Sequence, residues 1–336
     1  MKIFFMTFFL SSTITLVLIF LGNKYSIWVD ITSKSHAVHT LPTPKSGGLS
    51  IYVSSFIIIF LFFNFYYAIY LLLSSSLLFF YGLYEDSNGD TPQYVRLIVM
   101  TISGLMTIYF TNIYVYDIGF ITLPRALGII FTLFCVVGIA SAINFIDGLN
   151  GLSTGICLIT LLFYGLICFQ LNDIKLFTFI LILFSAILGF FIFNYPFGKI
   201  FLGDGGAYFL GFIMAFLSIL LANRHYEVIS WYPLLSLSYP VIETIITIIR
   251  RIYKRRVKNI PFFQSERLHL HSLLFKRKTR NNPVASFYLL CFHFFINVFA
   301  YFLKSNLSLL ILLFTIVWLV YLICYKHMFI KISNGR

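Results

Sequence analysis

The sequence predicts an all-α protein that crosses a membrane about eleven times. Hydrophobic residues make up 60% of the 336 positions and charged residues only 10%. Soluble domains carry roughly 25% charged residues. The gaps between charges repeatedly reach the ~20 residues that a membrane helix needs. Alternating ten-residue segments, the signature of a membrane β-barrel, are absent.

The first stretch, 3–23, follows a single Lys2 and lacks a small-residue cleavage site, so it is expected to be an uncleaved first span. Residues 46–84 form one uncharged run of 39, enough for two short helices hinged near 64–67. Single spans are expected at 97–116, 126–146, 148–172, 176–198, 205–223, 281–303 and 305–325. Another is expected at 228–249, where Glu243 is the one charge. An odd count puts the termini on opposite faces. One face then holds 19 of the 24 Lys and Arg, which makes it cytoplasmic, with the N-terminus outside and the C-terminus inside. The formal charge of +13 is therefore mainly a record of topology. Nucleic-acid binding is excluded, because the cations are split among short connections.

The five cysteines lie in apolar stretches without metal spacing and read as small hydrophobes. The 41 Phe and 22 Tyr read as lipid-facing bulk and interfacial belt. One integral-membrane domain, 1–336, is expected. Its motifs lie within about 39–280, and a basic cytoplasmic loop covers 250–282. Within that loop, 250–258 reads as a headgroup anchor.

Seven of the eleven acids fall on the face assigned as cytoplasmic: Asp30, Glu85, Asp86, Asp90, Asp147, Asp204 and Glu266. Glu85, Asp86, Asp147 and Asp204 stand at or beside expected helix ends. Glycines surround two of them, in Asp147-Gly148-Leu149-Asn150-Gly151 and Gly203-Asp204-Gly205-Gly206. Any one such acid reads most simply as a helix cap. Three clusters beside His269 and His271 read better as a shared site. Glycine lets backbone approach a ligand, helix N-termini favour phosphate, and carboxylates near phosphate imply Mg²⁺. Glu243 is intramembrane, so a functional or paired role is expected. Pairing with Arg250 and catalysis stand side by side as its alternatives.

Five segments together resemble the polyprenyl-phosphate N-acetylhexosamine-1-phosphate transferase superfamily. They are Pro42-Thr43-Pro44-Lys45-Ser46-Gly47-Gly48, Gly82-Leu83-Tyr84-Glu85-Asp86, Asn144 to Leu152, Phe201 to Tyr208, and Arg267-Leu268-His269-Leu270-His271. The resemblance implies transfer of a sugar-1-phosphate from a UDP-N-acetylhexosamine to undecaprenyl phosphate, with release of UMP. It implies Mg²⁺ as cofactor, with Mn²⁺ as the other candidate, and a bacterial plasma-membrane location. Membrane lipid and, as an option left open, a second copy of the chain complete the implied partners. By resemblance, Asp204 is the metal ligand. Asp86, Glu85 and Asp147 are the catalytic acids, and Lys45, Asn144, Asn150, Arg267, His269 and His271 bind substrate.

The chain departs from the common motifs. Glu85 replaces an Asp, Asn150 an acid, Ser272 a third His and Ser141 an Asn, and Gln93 lies near a usual Lys. These departures set it apart from the peptidoglycan enzyme and leave the sugar open. A transporter or flippase is the alternative, but its charges would line a midplane path.

Overall fold

The computed structural model describes residues 1–25, 29–30, 43–89, 91–258 and 268–333. Helix α1 (Lys2–Tyr25) is followed by a short antiparallel pair, β1 (Val29–Asp30) and β2 (Thr43–Pro44). Then come α2 (Gly47–Phe62), α3 (Tyr66–Asn88), α4 (Gln93–Thr111), α5 (Arg125–Ile146), α6 (Leu152–Gln170) and α7 (Ile174–Asn194). The rest of the bundle is α8 (Gly203–Arg224), α9 (Trp231–Ser236), α10 (Ser238–Lys258), α11 (Leu270–Leu274), α12 (Asn282–Leu303) and α13 (Leu307–Ser333). A π-helical turn, Phe275–Thr279, connects α11 to α12. Among the described residues, nine helices are long and apolar enough to cross a membrane, and α2 is a shorter apolar helix. The chain is an all-α, multi-pass membrane protein.

The break in the 46–84 run falls between α2 and α3, close to the expected hinge. The span expected at 228–249 is different. It is two helices meeting at Leu237, and the second continues to Lys258. Pro240 accounts for the break. It has no N–H, so the Ser236 carbonyl four residues earlier lacks its helical donor. The Thr160 hydroxyl and the Asn297 amide donate to that carbonyl instead, at 3.4 and 3.3 Å. Lipid offers no donor, so neighbouring helices must supply one.

Helix α8 is the axis of the bundle. Its sequence is apolar on every side, which suits only a fully enclosed helix. Of its most apolar 18-residue window 94% is buried, against 22% for α1 and 17% for α13. Helices α2, α3 and α5 pack directly on it. At its C-terminal end, Arg224 Nε donates to Asp173 Oδ2 at 2.6 Å, and His225 Nε2 lies 3.3 Å from the same oxygen. Asp173 also caps α7 by accepting from Leu176 N–H at 3.1 Å. Burial opposes ionisation of Asp173, but Arg224 and the Leu176 amide hold its carboxyl below the usual value. Burial lowers His225 in turn, against the pull of Asp173.

Candidate active site

The site is built where the other end of α8 meets β2, α2, α3 and α5. The Phe201 amide donates to the Pro44 carbonyl at 2.8 Å. The Gly47 and Gly48 amides donate back to the Phe201 and Leu202 carbonyls at 2.9 and 2.8 Å. Two glycine pairs then let the helices close. A Cβ on Gly48 would stand 2.3 Å from Gly206 Cα, and one on Gly82 would stand 2.4 Å from Gly205 Cα. Gly203 turns the chain into α8 at φ +79, with the Lys45 carbonyl 2.1 Å from where its Cβ would be. No L side chain fits there.

This packing brings the carboxylates together. Asp86 Oδ1 and Oδ2 accept from the Asp204 and Gly205 amides at 3.0 and 3.2 Å. Asn144 Nδ2, near the end of α5, donates to Asp204 Oδ1 at 2.7 Å. Asp147, the C-cap of α5, accepts from the Ser153 hydroxyl. Burial pushes the Asp147 carboxyl up to about 7. Asp204's charge adds to that rise, while the Ser153 hydroxyl and the charge of Lys45 oppose it. Asp86, Asp147, Asp204, Asn144 and Lys45 thus form one constellation.

One physical expectation is corrected. The first amides of α8 do not wait for phosphate, because the Asp86 carboxylate takes those of Asp204 and Gly205. The approach to α6 is also occupied. The Gly151 amide donates to Asn194 Oδ1 at 2.6 Å and the Asn150 amide to Asn282 Oδ1 at 2.8 Å. Buried N–H groups at helix starts need acceptors, and side chains supply them here.

His269 and His271 reach this constellation from the other side. Their rings are stacked, 5.4 Å apart at 8°, and His269 also lies over Phe145 at 6.1 Å. A Cβ on Gly148 would lie 2.7 Å from His271 Nε2, which places that imidazole against the Asp147 loop. His269 Nδ1 is 2.9 Å from Glu243 Oε1. Glu243 Oε2 accepts from the Leu270 amide at 3.1 Å and from the Tyr321 hydroxyl at 2.5 Å. Glu243 is therefore tied to His269 rather than to Arg250. Seven residues of helix, about 10 Å, separate it from Arg250. Arg250 instead donates to the Leu268 carbonyl and the Tyr325 hydroxyl, both at 2.8 Å.

Two candidates stand apart. Glu85 Oε2 accepts from the Tyr208 hydroxyl at 3.0 Å, and Arg96 lies 3.9 Å from Glu85 Oε1 and donates to Tyr208 at 2.7 Å. Asn150 is used in the loop, donating from its side chain to the Pro196 carbonyl at 3.1 Å. Arg267 lies outside the described residues. Sequence reasoning missed Arg96, Tyr208, Ser153 and the Glu243–His269 pair. Tyr208 sits one turn after Asp204 on the same helix face, and Arg96 is the only cation between Lys45 and Arg125. Both signals were present.

Burial, together with the charge of His269, pushes His271 down to about 3. His271 and His225 both hold fewer protons when folded than the ordinary imidazole near 6.5. Their contribution to stability is full above about pH 6.5 and is lost as the pH falls below it. Asp173 adds a further loss below its ordinary value near 4. Asp147, raised to about 7, takes up its proton in the folded state over the same window and works the other way, so the histidine contribution is read as a difference: between pH 7 and pH 5 the thermal midpoint of His271→Gln in detergent is expected to rise relative to that of the wild type. A midpoint difference between His271→Gln and the wild type that stays the same at pH 7 and pH 5 would contradict the assignment of His271.

A half-buried cluster of acids and Asn144 beside two stacked histidines, set in a helical membrane bundle, defines a polytopic membrane protein with a polar site at one end of α8. Residues 68–222 match the family described as glycosyl transferase family 4, and the match spans the three middle motifs. The chain is 31% identical over 160 residues to a "probable undecaprenyl-phosphate N-acetylglucosaminyl 1-phosphate transferase" of Bacillus subtilis, covering 47% of this chain and 42% of that protein. It is 36% identical over 168 residues to a phospho-N-acetylmuramoyl-pentapeptide-transferase of Listeria welshimeri, covering 49% and 47%. The chain thus spans less than half the length of these relatives. The motif departures do not translate into lower identity to the second kind.

Proposed function

We propose that the chain transfers an N-acetylhexosamine-1-phosphate from a UDP-sugar to undecaprenyl phosphate at the cytoplasmic face of a bacterial plasma membrane. The single observation that carries this is the convergence of Asp86, Asp147, Asp204 and Asn144 on one end of α8, with His271 against the same loop. An oxygen of the lipid phosphate forms the new bond to the sugar-bearing phosphorus. The bond from that phosphorus to the bridging oxygen breaks, and UMP leaves with the electron pair. The balance is the same for direct attack and for passage through an aspartyl phosphate.

Among the described residues, no three His, Cys, Asp or Glu stand close enough to cage a metal. The all-oxygen donor set still fits Mg²⁺, which needs only one or two carboxylates and takes phosphate and water for the rest. Asp204 would hold it, oriented by Asn144, and the ion would supply neutralising charge at the leaving phosphate. Purified protein given undecaprenyl phosphate, Mg²⁺ and a panel of UDP-N-acetylhexosamines should release UMP, and the mass of the lipid product identifies the sugar. Release of UDP, or translocation without UMP, would overturn the proposal.

Glu243 is a positioning residue in this scheme. Glu243→Gln keeps the volume but removes the charge that holds His269. A hydrogen bond to a charged group is worth about 1.5–3 kcal/mol. UMP release should therefore fall about 10–100-fold with the protein still folded. Unchanged turnover would remove His269 from the reaction or Glu243 from its support.

A further inference from the structure

We infer that the exposed face of α10 is a binding surface for anionic phospholipid, with Arg255 and Arg256 as its headgroup contacts. Ile245, Ile248, Ile249, Ile252, Tyr253 and Val257 all point away from the protein, and Ile249, Tyr253 and Val257 are 58–60% exposed. At 100° per residue these six positions fall on one half of the helix circumference. The face is thus a continuous apolar stripe more than three turns long. The opposite side is held by the bundle, where Arg250 reaches Leu268 and Tyr325 and Arg251 lies 5.2 Å over the Phe145 ring.

In a membrane protein the stripe belongs against acyl chains. The charge beside it identifies the headgroup. Arg255 borders the stripe, Arg256 sits within its last turn, and both are exposed. No acid follows Glu243 anywhere in α10 to balance them. An apolar face that ends in two exposed guanidiniums matches lipid phosphate with net negative charge better than a zwitterionic headgroup. The site on α8 is not involved, so this surface stands or falls independently of the proposed reaction.

The test uses the full chain in phosphatidylcholine vesicles containing spin-labelled phosphatidylglycerol or spin-labelled phosphatidylcholine. The motion-restricted fraction of each label reports its association with the protein. Each juxtamembrane cation is worth about a fivefold local enrichment of anionic lipid. The phosphatidylglycerol label is therefore expected to be enriched at least about fivefold over phosphatidylcholine, and less so in about 0.5 M salt. R255Q/R256Q should lower the ratio severalfold, by about fivefold or more on the same scale, with an unchanged thermal midpoint. R255K/R256K should keep it, and K278Q/R280Q, which removes two exposed cations that no apolar stripe adjoins, should lower it much less. Equal association of the two labels with the wild-type chain would overturn the inference. So would an undiminished preference in R255Q/R256Q, or an equal loss in K278Q/R280Q.

Discussion

Asp204→Asn is expected to reduce UMP release by about 10³-fold or more while the protein remains folded. The substitution is isosteric. Its retained side-chain oxygen still accepts from Asn144, which donates at 2.7 Å, and its main-chain amide still donates to Asp86. What disappears is one negative charge at the centre of the constellation. Removing a single electrostatic contact to a developing charge costs ~10²–10³ in rate. Asp204 would bear both on the metal and on the leaving group, so its loss belongs at or beyond the upper end. Removing Mg²⁺ with EDTA should give a comparable loss, reversed by added Mg²⁺. Turnover within tenfold of wild type in the Asn variant would show that another residue holds the metal.

The second large effect comes from one methyl group. Gly48→Ala and Gly82→Ala each place a Cβ against backbone, 2.3 Å from Gly206 Cα and 2.4 Å from Gly205 Cα. Backbone cannot rotate aside as a side chain can, so α2 or α3 must move away from α8. Overpacking of this kind costs about 1–3 kcal/mol. Where α3 moves, as Gly82→Ala requires, the shift also separates Asp86 from the amides that hold it, at 3.0 and 3.2 Å. Both variants should lose several degrees of thermal midpoint and most of their activity. Gly138→Ala, which meets nothing within 4 Å, is the matched control and should behave as wild type. A Gly82→Ala protein with wild-type turnover would mean that Asp86 does not depend on this packing.

Much of the fold was legible because hydrophobicity and charge are one-dimensional signals. Runs without charge become helices, and the hinge near 64–67 follows from a run too long for one span. The break at Leu237 was missed because a proline inside an apolar run does not show whether its freed carbonyl finds new donors. Those donors, Thr160 and Asn297, come from distant helices. In the site, Asp147 and Asp204 were legible through their glycine-rich surroundings, and Asp86 and Asn144 through the motifs that carry the family resemblance. Two things were not. Glu243 lies 26 residues before His269 on a different helix, and no spacing rule joins them. The amides at the start of α8 were assigned to phosphate because sequence does not reveal that a carboxylate from α3 arrives first.

The enclosure of α8 bears on how the molecule is made. A nascent chain that ends before residue 203 already contains α2, α3 and α5, with Gly48, Gly82 and Asn144 in place but nothing for them to close on. Asp86 then lacks the two amides that hold its carboxylate. Membrane helices insert singly and associate afterwards, so the constellation comes into being only when a helix synthesised past the middle of the chain slides between neighbours already in the bilayer. The two glycine pairs are the slot that admits it. A fragment lacking 203–224 is therefore a bundle without a centre, and the constellation has no partial form before α8 arrives.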